Sequence, residues 1–183
     1  MAKVYLSIGS NIARNRNIRL AVQRLRERYG TLLLSGIYES DPVGFKGESF
    51  YNVAAGFESQ ETPAELVNFF RAIENESGRT RNTSKFGPRT LDIDLLLYDD
   101  MVSARDGLEL PRKEITRYAF VLRPLAEIAG GLRHPTMGKT IAELWSEFDD
   151  SGQGTRRMQD ELLQTPEARV NPASASDSAL GRD

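Results

Sequence analysis

With 183 residues, the chain is long enough for one domain with a real core and some excess. Its 24 Lys and Arg against 26 Asp and Glu leave a formal net charge of -2, which argues against a protein that coats nucleic acid or an anionic membrane. The absence of cysteine excludes a disulfide framework, a thiol nucleophile and a Cys-type zinc site.

A strand-like pattern begins within four residues, with no basic segment followed by a long apolar run, so neither a secretion signal nor a membrane span is expected. A cytoplasmic enzyme or binding protein fits. Residues 4–8 alternate Val4, Leu6 and Ile8 against Tyr5 and Ser7, which predicts a strand ended by Gly9, Ser10 and Asn11. Ile18, Ala21, Val22, Leu25 and Tyr29 recur at helical spacing and predict a helix over about 16–28, with Asn15 as N-cap and Gly30 as stop. Strands are predicted at 32–38 and 51–57, separated by a Gly/Pro-rich connection too long for a simple hairpin and so a candidate ligand-binding flap. The next helix starts with Thr62 as cap, Pro63 at N1 and Glu65 completing a capping box; Leu66, Phe69, Phe70 and Ile73 form its apolar stripe, and Gly78 follows its end.

Residues 90–98 then read as a strand with Leu91, Ile93, Leu95 and Leu97 on one face and Asp92, Asp94, Leu96 and Tyr98 on the other. The order β-α-β-β-α-β predicts an α+β fold, an antiparallel sheet with both helices on one side. A short extended piece at 108–111 and helical segments at 118–128, interrupted by Pro124, and at 141–148, begun by a Thr140/Glu143 capping box, are expected to cover the remaining sheet edge or face. Residues 1–150 thus form the expected domain, and 151–183 a disordered or weakly helical tail.

Asp92 and Asp94, two residues apart on a strand, point the same way with Cα atoms about 6 to 7 Å apart and repel unless hydrogen-bonded or bound to metal. Mg²⁺ is the natural ligand, being held by one or two carboxylates plus phosphates, although the pair could simply face water at a strand end. Arg79, Arg81, Lys85 and Arg89 lie just upstream and suit polyphosphate oxygens, or else form an ordinary solvated face. No Walker loop is present: Gly138-Lys139-Thr140 copies only its last part, and Thr140 reads better as a cap. Phe45, Phe50, Phe86 and Phe120 are loop-associated aromatics able to stack on a flat heterocycle or to plug a small core, and the Asn52 amide could meet both donors and acceptors of such a ring. His134, the single histidine, reads as a turn residue.

The segments Tyr5-Leu6-Ser7-Ile8-Gly9-Ser10-Asn11, Tyr38-Glu39-Ser40-Asp41-Pro42-Val43-Gly44, Phe50-Tyr51-Asn52-Val53-Ala54, Gly78-Arg79-Thr80-Arg81, Phe86-Gly87-Pro88-Arg89-Thr90-Leu91-Asp92-Ile93-Asp94-Leu95-Leu96 and Phe120-Val121-Leu122-Arg123-Pro124-Leu125 resemble those of the 6-hydroxymethyl-7,8-dihydropterin pyrophosphokinase family of folate biosynthesis. The resemblance runs in order over about residues 4–148. It implies a ferredoxin-like core, usually monomeric, that uses ATP and two Mg²⁺ ions to transfer pyrophosphate to a pterin alcohol, releasing AMP.

By motif position, Asp92 and Asp94 resemble the magnesium ligands, and Arg79, Arg81, Lys85 and Arg89 the basic residues around the ATP phosphates. Glu74, Ile93, Arg112 and Arg117 fall at the nucleotide end. Gly9, Ser40, Pro42, Val43, Phe50, Asn52, Phe86 and Phe120 fall at the pterin end, with Phe50 and Phe120 as the sandwiching aromatics. Two departures stand out: Pro111-Arg112 where members commonly read Pro-His, and Tyr118, next to Arg117, where they carry Arg. Readings from other classes are an RNA-binding module, which shares the β-α-β-β-α-β order but needs exposed aromatics on its central strands, and a small-ligand sensor.

Overall fold

In the computed structural model, described for residues 1–43, 46–78, 90–105, 107–158 and 163, the antiparallel sheet is built on β1 (Ala2–Ser10). β4 (Phe50–Ser59) flanks β1 on one side and β5 (Asp92–Tyr98) on the other. Beyond β4 come β2 (Leu33–Leu34) and β3 (Tyr38–Ser40), and β8 (Thr155–Arg157) pairs with β3. The order β5-β1-β4-β3-β8 thus keeps the β-α-β-β-α-β core with one strand added at its edge. The single strand expected over 32–38 is two short pieces: at Ser35 the amide still donates to the Ala54 carbonyl at 3.0 Å, but the Ala54 amide donates to the Ser35 hydroxyl in place of its carbonyl. β8 falls inside the segment read as tail; its pairing partner is remote, so local composition carried no trace of it.

Helices α1 (Arg14–Tyr29) and α2 (Pro63–Glu76) pack on one face, where Ile18, Val22, Leu25, Leu66, Phe70 and Ile73 meet Val4, Leu6, Ile8, Val53 and Ile93 in the main core. The capping box forms as expected: Thr62 N–H donates to Glu65 Oε2 at 2.7 Å, Glu65 N–H returns to Thr62 Oγ1, and Gly78 adopts φ 87 just past the helix end. Asn15, expected to cap α1, lies inside its first turn instead. The chain enters α1 through left-handed Ala13, φ 44, and the buried Asn17 amide braces this corner by donating to the carbonyls of Ile12 (2.7 Å) and Thr90 (2.8 Å).

α3 (Ala119–Ala129) and α4 (Ile141–Ser146) form a second core on the opposite face with Ile115, Ala54, Leu96 and Leu97. Pro124 sits within α3 rather than interrupting it. The β1–β5 register shifts between Tyr5 and Leu6, so that Leu97 pairs with Tyr5 and joins the second core, while Tyr98 packs against the first. This bulge reverses the faces expected for Leu97 and Tyr98 and leaves those of Asp92 and Asp94 as expected. β6 (Ser103–Arg105) and β7 (Leu108–Leu110) form a separate hairpin beside β5. Among the described residues, no helix is long and apolar enough to cross a membrane.

Candidate functional site

β5 is an edge strand of the sheet, and its outer edge faces α2. There the Ile93 amide donates to Oε1 of buried Glu74 at 2.8 Å, so a carboxylate from α2 satisfies a backbone group that a neighbouring strand would otherwise pair. Between α2, β5 and the β6–β7 hairpin lies a cleft of about 580 Å³ that brings together Glu74, Asp92, Ile93, Asp94 and Arg112. Val67, Asn68, Arg71, Arg105 and Leu108 also line it and were not singled out from sequence. The signal was present for α2, because Val67, Arg71 and Glu74 stand at i, i+4 and i+7 on one helical face.

Arg112 contributes a permanent charge inside this cleft: one terminal nitrogen donates to Asp94 Oδ1 at 2.7 Å, and its Nε lies 3.3 Å from Glu114 Oε2. Arg117 is exposed at the end of the Lys113–Thr116 turn and is not among the cleft residues. Among the described residues, no three His, Cys, Asp or Glu side chains converge as a metal cage. Asp92 and Asp94 share a face and are the carboxylates that could hold a metal there; its other donors would be water and ligand oxygens, the donor set of a hard cation.

Across the sheet, Gly9 pairs with Asp92 on β5 and with Asn52 on β4. Paired residues share a face, so Asn52, Gly9 and Asp92 form one row on the side away from α1 and α2, with the outer two backbones about 10 Å apart. A Cβ on Gly9 would come 3.5 Å from Asn52 Oδ1, so the missing side chain opens the middle of the row. Asn52 is buried, and its amide nitrogen donates to the Tyr38 carbonyl at 3.1 Å and to Ser40 Oγ at 2.9 Å, which fixes Oδ1 in direction. Phe50 lies two residues from Asn52 on the same face and pairs with Ser40. Phe120 stacks on Tyr118 with ring centroids 5.0 Å apart, so the departure at Tyr118 covers one face of this aromatic. Pro42 is half-buried and Val43 exposed.

The segment that follows Ser40 is tied down at its far end. Asn11 donates to the Glu48 carbonyl at 3.2 Å, and one nitrogen of Arg14 donates to the Ser49 carbonyl at 2.9 Å and to Glu39 Oε1 at 3.0 Å. Hydrogen bonds from Ser49 and Arg156 hold the Glu39 carboxyl below its ordinary pKa, so it stays ionised between α1, the loop and β8. Nearby, burial raises the pKa of Tyr38, whose hydroxyl donates to Glu127 Oε2 at 2.8 Å. Arg79, Arg81, Lys85, Phe86 and Arg89, with Phe45, lie outside the described residues. The carbonyl of Thr90, directly after that stretch, accepts from both Ser10 Oγ and Asn17 Nδ2.

A family profile described as 7,8-dihydro-6-hydroxymethylpterin-pyrophosphokinase (HPPK) matches residues 5–130. The 2-amino-4-hydroxy-6-hydroxymethyldihydropteridine pyrophosphokinase of Bacillus subtilis is 39% identical over 128 residues, covering 68% of this chain and 76% of that protein. Its namesake from Pseudomonas aeruginosa is 37% identical over 146 residues, 78% of this chain and 89% of that one. The folic acid synthesis protein FOL1 of Dictyostelium discoideum is 37% identical over 151 residues, but the chain spans only 23% of its length. In three dimensions, a Plasmodium falciparum HPPK-DHPS crystal structure shares the fold at a TM-score of 0.65 and 12% identity, over 80% of this chain and 45% of that one. The chain therefore belongs to the 7,8-dihydro-6-hydroxymethylpterin-pyrophosphokinase family.

Proposed function

We propose that this protein transfers pyrophosphate from ATP to the hydroxymethyl group of 6-hydroxymethyl-7,8-dihydropterin, releasing AMP, as a monomer in the cytoplasm and in service of folate biosynthesis. The observation that carries this reading is the Asn52–Gly9–Asp92 row, which joins a buried amide suited to a heterocycle edge to the carboxylates of the cleft.

Asn52, oriented by Tyr38 and Ser40, offers Oδ1 to a donor on the pterin edge, and Gly9 leaves room for the ring to lie across β1. The hydroxymethyl group then extends along the row toward Asp92. Asp92 and Asp94 would hold Mg²⁺, which would supply charge neutralisation of the triphosphate and Lewis-acid polarisation of a nearby oxygen. Arg112, with Arg79, Arg81, Lys85 and Arg89 as the resemblance implies, meets charge that spreads over the phosphoryl oxygens during in-line attack on the β-phosphorus. The apolar walls at Val67 and Leu108 suit the nucleobase, and positioning of two substrates on one rigid sheet supplies most of the acceleration. The cover of α3 and α4 over Ala54, Leu96 and Leu97 weighs against an RNA-binding platform on that face.

The test is AMP release from ATP with and without the hydroxymethylpterin, at zero and millimolar Mg²⁺. Release that requires both, and is abolished by Asp94→Ala, is expected. Near-normal turnover in that variant sinks the metal assignment, and tight pterin binding without any product favours the ligand-sensor reading.

A further inference from the structure

We propose that Arg112 is a built-in counter-cation for Asp94, which a divalent metal must displace and which, once displaced, serves the phosphates in the same cleft; this rests on the metal reading above. The Arg112 amide donates to the Leu96 carbonyl at 3.0 Å, which anchors its backbone to β5 two residues beyond Asp94. From there the guanidinium reaches back to Asp94 Oδ1 through one nitrogen at 2.7 Å. That contact is single rather than the two-pronged fork that makes Arg–carboxylate pairs strong. The side chains are 29% and 38% exposed, so water screens the pair and a doubly charged ion can outcompete it.

The displaced cation has somewhere to go. Glu114 Oε2 lies 3.3 Å from Arg112 Nε, yet both atoms are buried without a hydrogen-bond partner, so this second carboxylate is poised but not engaged in a well-aligned bond. A small rotation toward Glu114 withdraws the Arg112 guanidinium from Asp94 without leaving that cation unpaired. Arg112 lines the cleft throughout, so its terminal nitrogens stay where phosphate oxygens arrive. The chain therefore trades metal affinity of the free protein for a cation that is handed over when the nucleotide and metal enter together.

The experiment measures Mn²⁺ binding to the whole protein by EPR, first alone and then with α,β-methylene ATP. For Arg112→Gln, Mn²⁺ alone should bind roughly three- to fivefold tighter, because a screened pair is lost, while the Mn²⁺–nucleotide complex should bind on the order of tenfold weaker, because a phosphate contact is lost. A residue that merely supports the fold would weaken both. Arg112→Lys, which keeps the charge, should leave the affinity for Mn²⁺ alone within about twofold of the parent. Unchanged or weaker Mn²⁺ binding in Arg112→Gln, or equal tightening in Arg112→Lys, overturns the proposal. Asp94→Asn separates the two levels: if it removes Mn²⁺ binding, the metal reading stands whatever Arg112 does, and if it leaves binding intact, both fall.

Discussion

Asn52 and Asp92 face each other across Gly9 in a single row of the sheet, one buried amide and one half-buried carboxylate with only a glycine between them. Their separation is set by two strand spacings, about 10 Å, and not by any flexible segment.

Filling the gap should separate function from stability. At Gly9 a methyl group would meet Asn52 Oδ1 at 3.5 Å, an ordinary contact, and the position lies in a strand interior where glycine is the weaker residue. Gly9→Ala should change stability by less than about 0.5 kcal/mol in urea melts, while Gly9→Val should raise the pterin KM at least roughly tenfold, since a branched side chain occupies the middle of the row. A pterin KM in Gly9→Val within twofold of the parent would remove the row from the substrate path.

Asn52 holds two buried partners, the Tyr38 carbonyl and Ser40 Oγ. Asn52→Ala should cost about 1–3 kcal/mol by leaving them unpaired, and should also weaken pterin binding without altering nucleotide affinity. Asn52→Asp keeps the shape but replaces the donor with a carboxylate oxygen that faces the Tyr38 carbonyl, so it should bind pterin less well than the Ala variant. Calorimetric titration of each ligand separately checks both statements, and an equal loss for pterin and nucleotide would point to general unfolding.

The guanidinium of Arg157, on the added strand β8, lies against a glycine. A Cβ on Gly36 would fall 2.6 Å from Arg157 Nε, and that arginine also pairs with Glu127 at 3.2 Å, while the Gly36 amide donates to the same carboxylate. Gly36→Ala should therefore dislodge Arg157 and cost about 1 kcal/mol. Arg157→Ala should add little in the Gly36→Ala background, so a double-mutant cycle by chemical denaturation should be clearly non-additive. Additive losses would mean that Gly36 and Arg157 act independently.

His134 offers a clean titration because it is the single histidine. Burial lowers its pKa below the ordinary value, so the fold prefers the neutral ring. With the folded value depressed, its contribution to stability is full above about pH 6.5 and is lost as pH falls through the folded value. NMR of the one imidazole should place its midpoint below 6.5, and His134→Gln should flatten the fall in stability between pH 6.5 and 5. A midpoint above 6.5 would refute this.

Several features were legible in the chain because they are local. The Thr62-Pro63-Glu65 start of α2, the Gly30 and Gly78 ends, and the Thr140/Glu143 box each lie within a few residues, and the structure forms them as the spacing predicts. Asp92 and Asp94 could be assigned to one face for the same reason, since alternation holds up to the bulge. Leu97 and Tyr98 could not, because one extra residue opposite β1 reverses their faces and nothing in their own identities announces it. Asn15 looked like a cap, but a helix N-terminus is chosen by where the incoming chain turns, and here the buried Asn17 bond to Thr90, 73 residues away, makes that choice.

Local pattern encodes the β-α-β-β-α-β order of the core, the two capping boxes, the carboxylate pair and the motifs that carry the family resemblance, because short-range sterics, hydrogen bonding and hydrophobic periodicity act within a few residues of each other. Long-range packing is what places Asn52, Gly9 and Asp92 in one row, pairs β8 with β3 and sets Arg112 on Asp94. Those relationships join residues remote in the chain, and their geometry depends on strand register and packing against the two faces of the sheet, which no local pattern encodes.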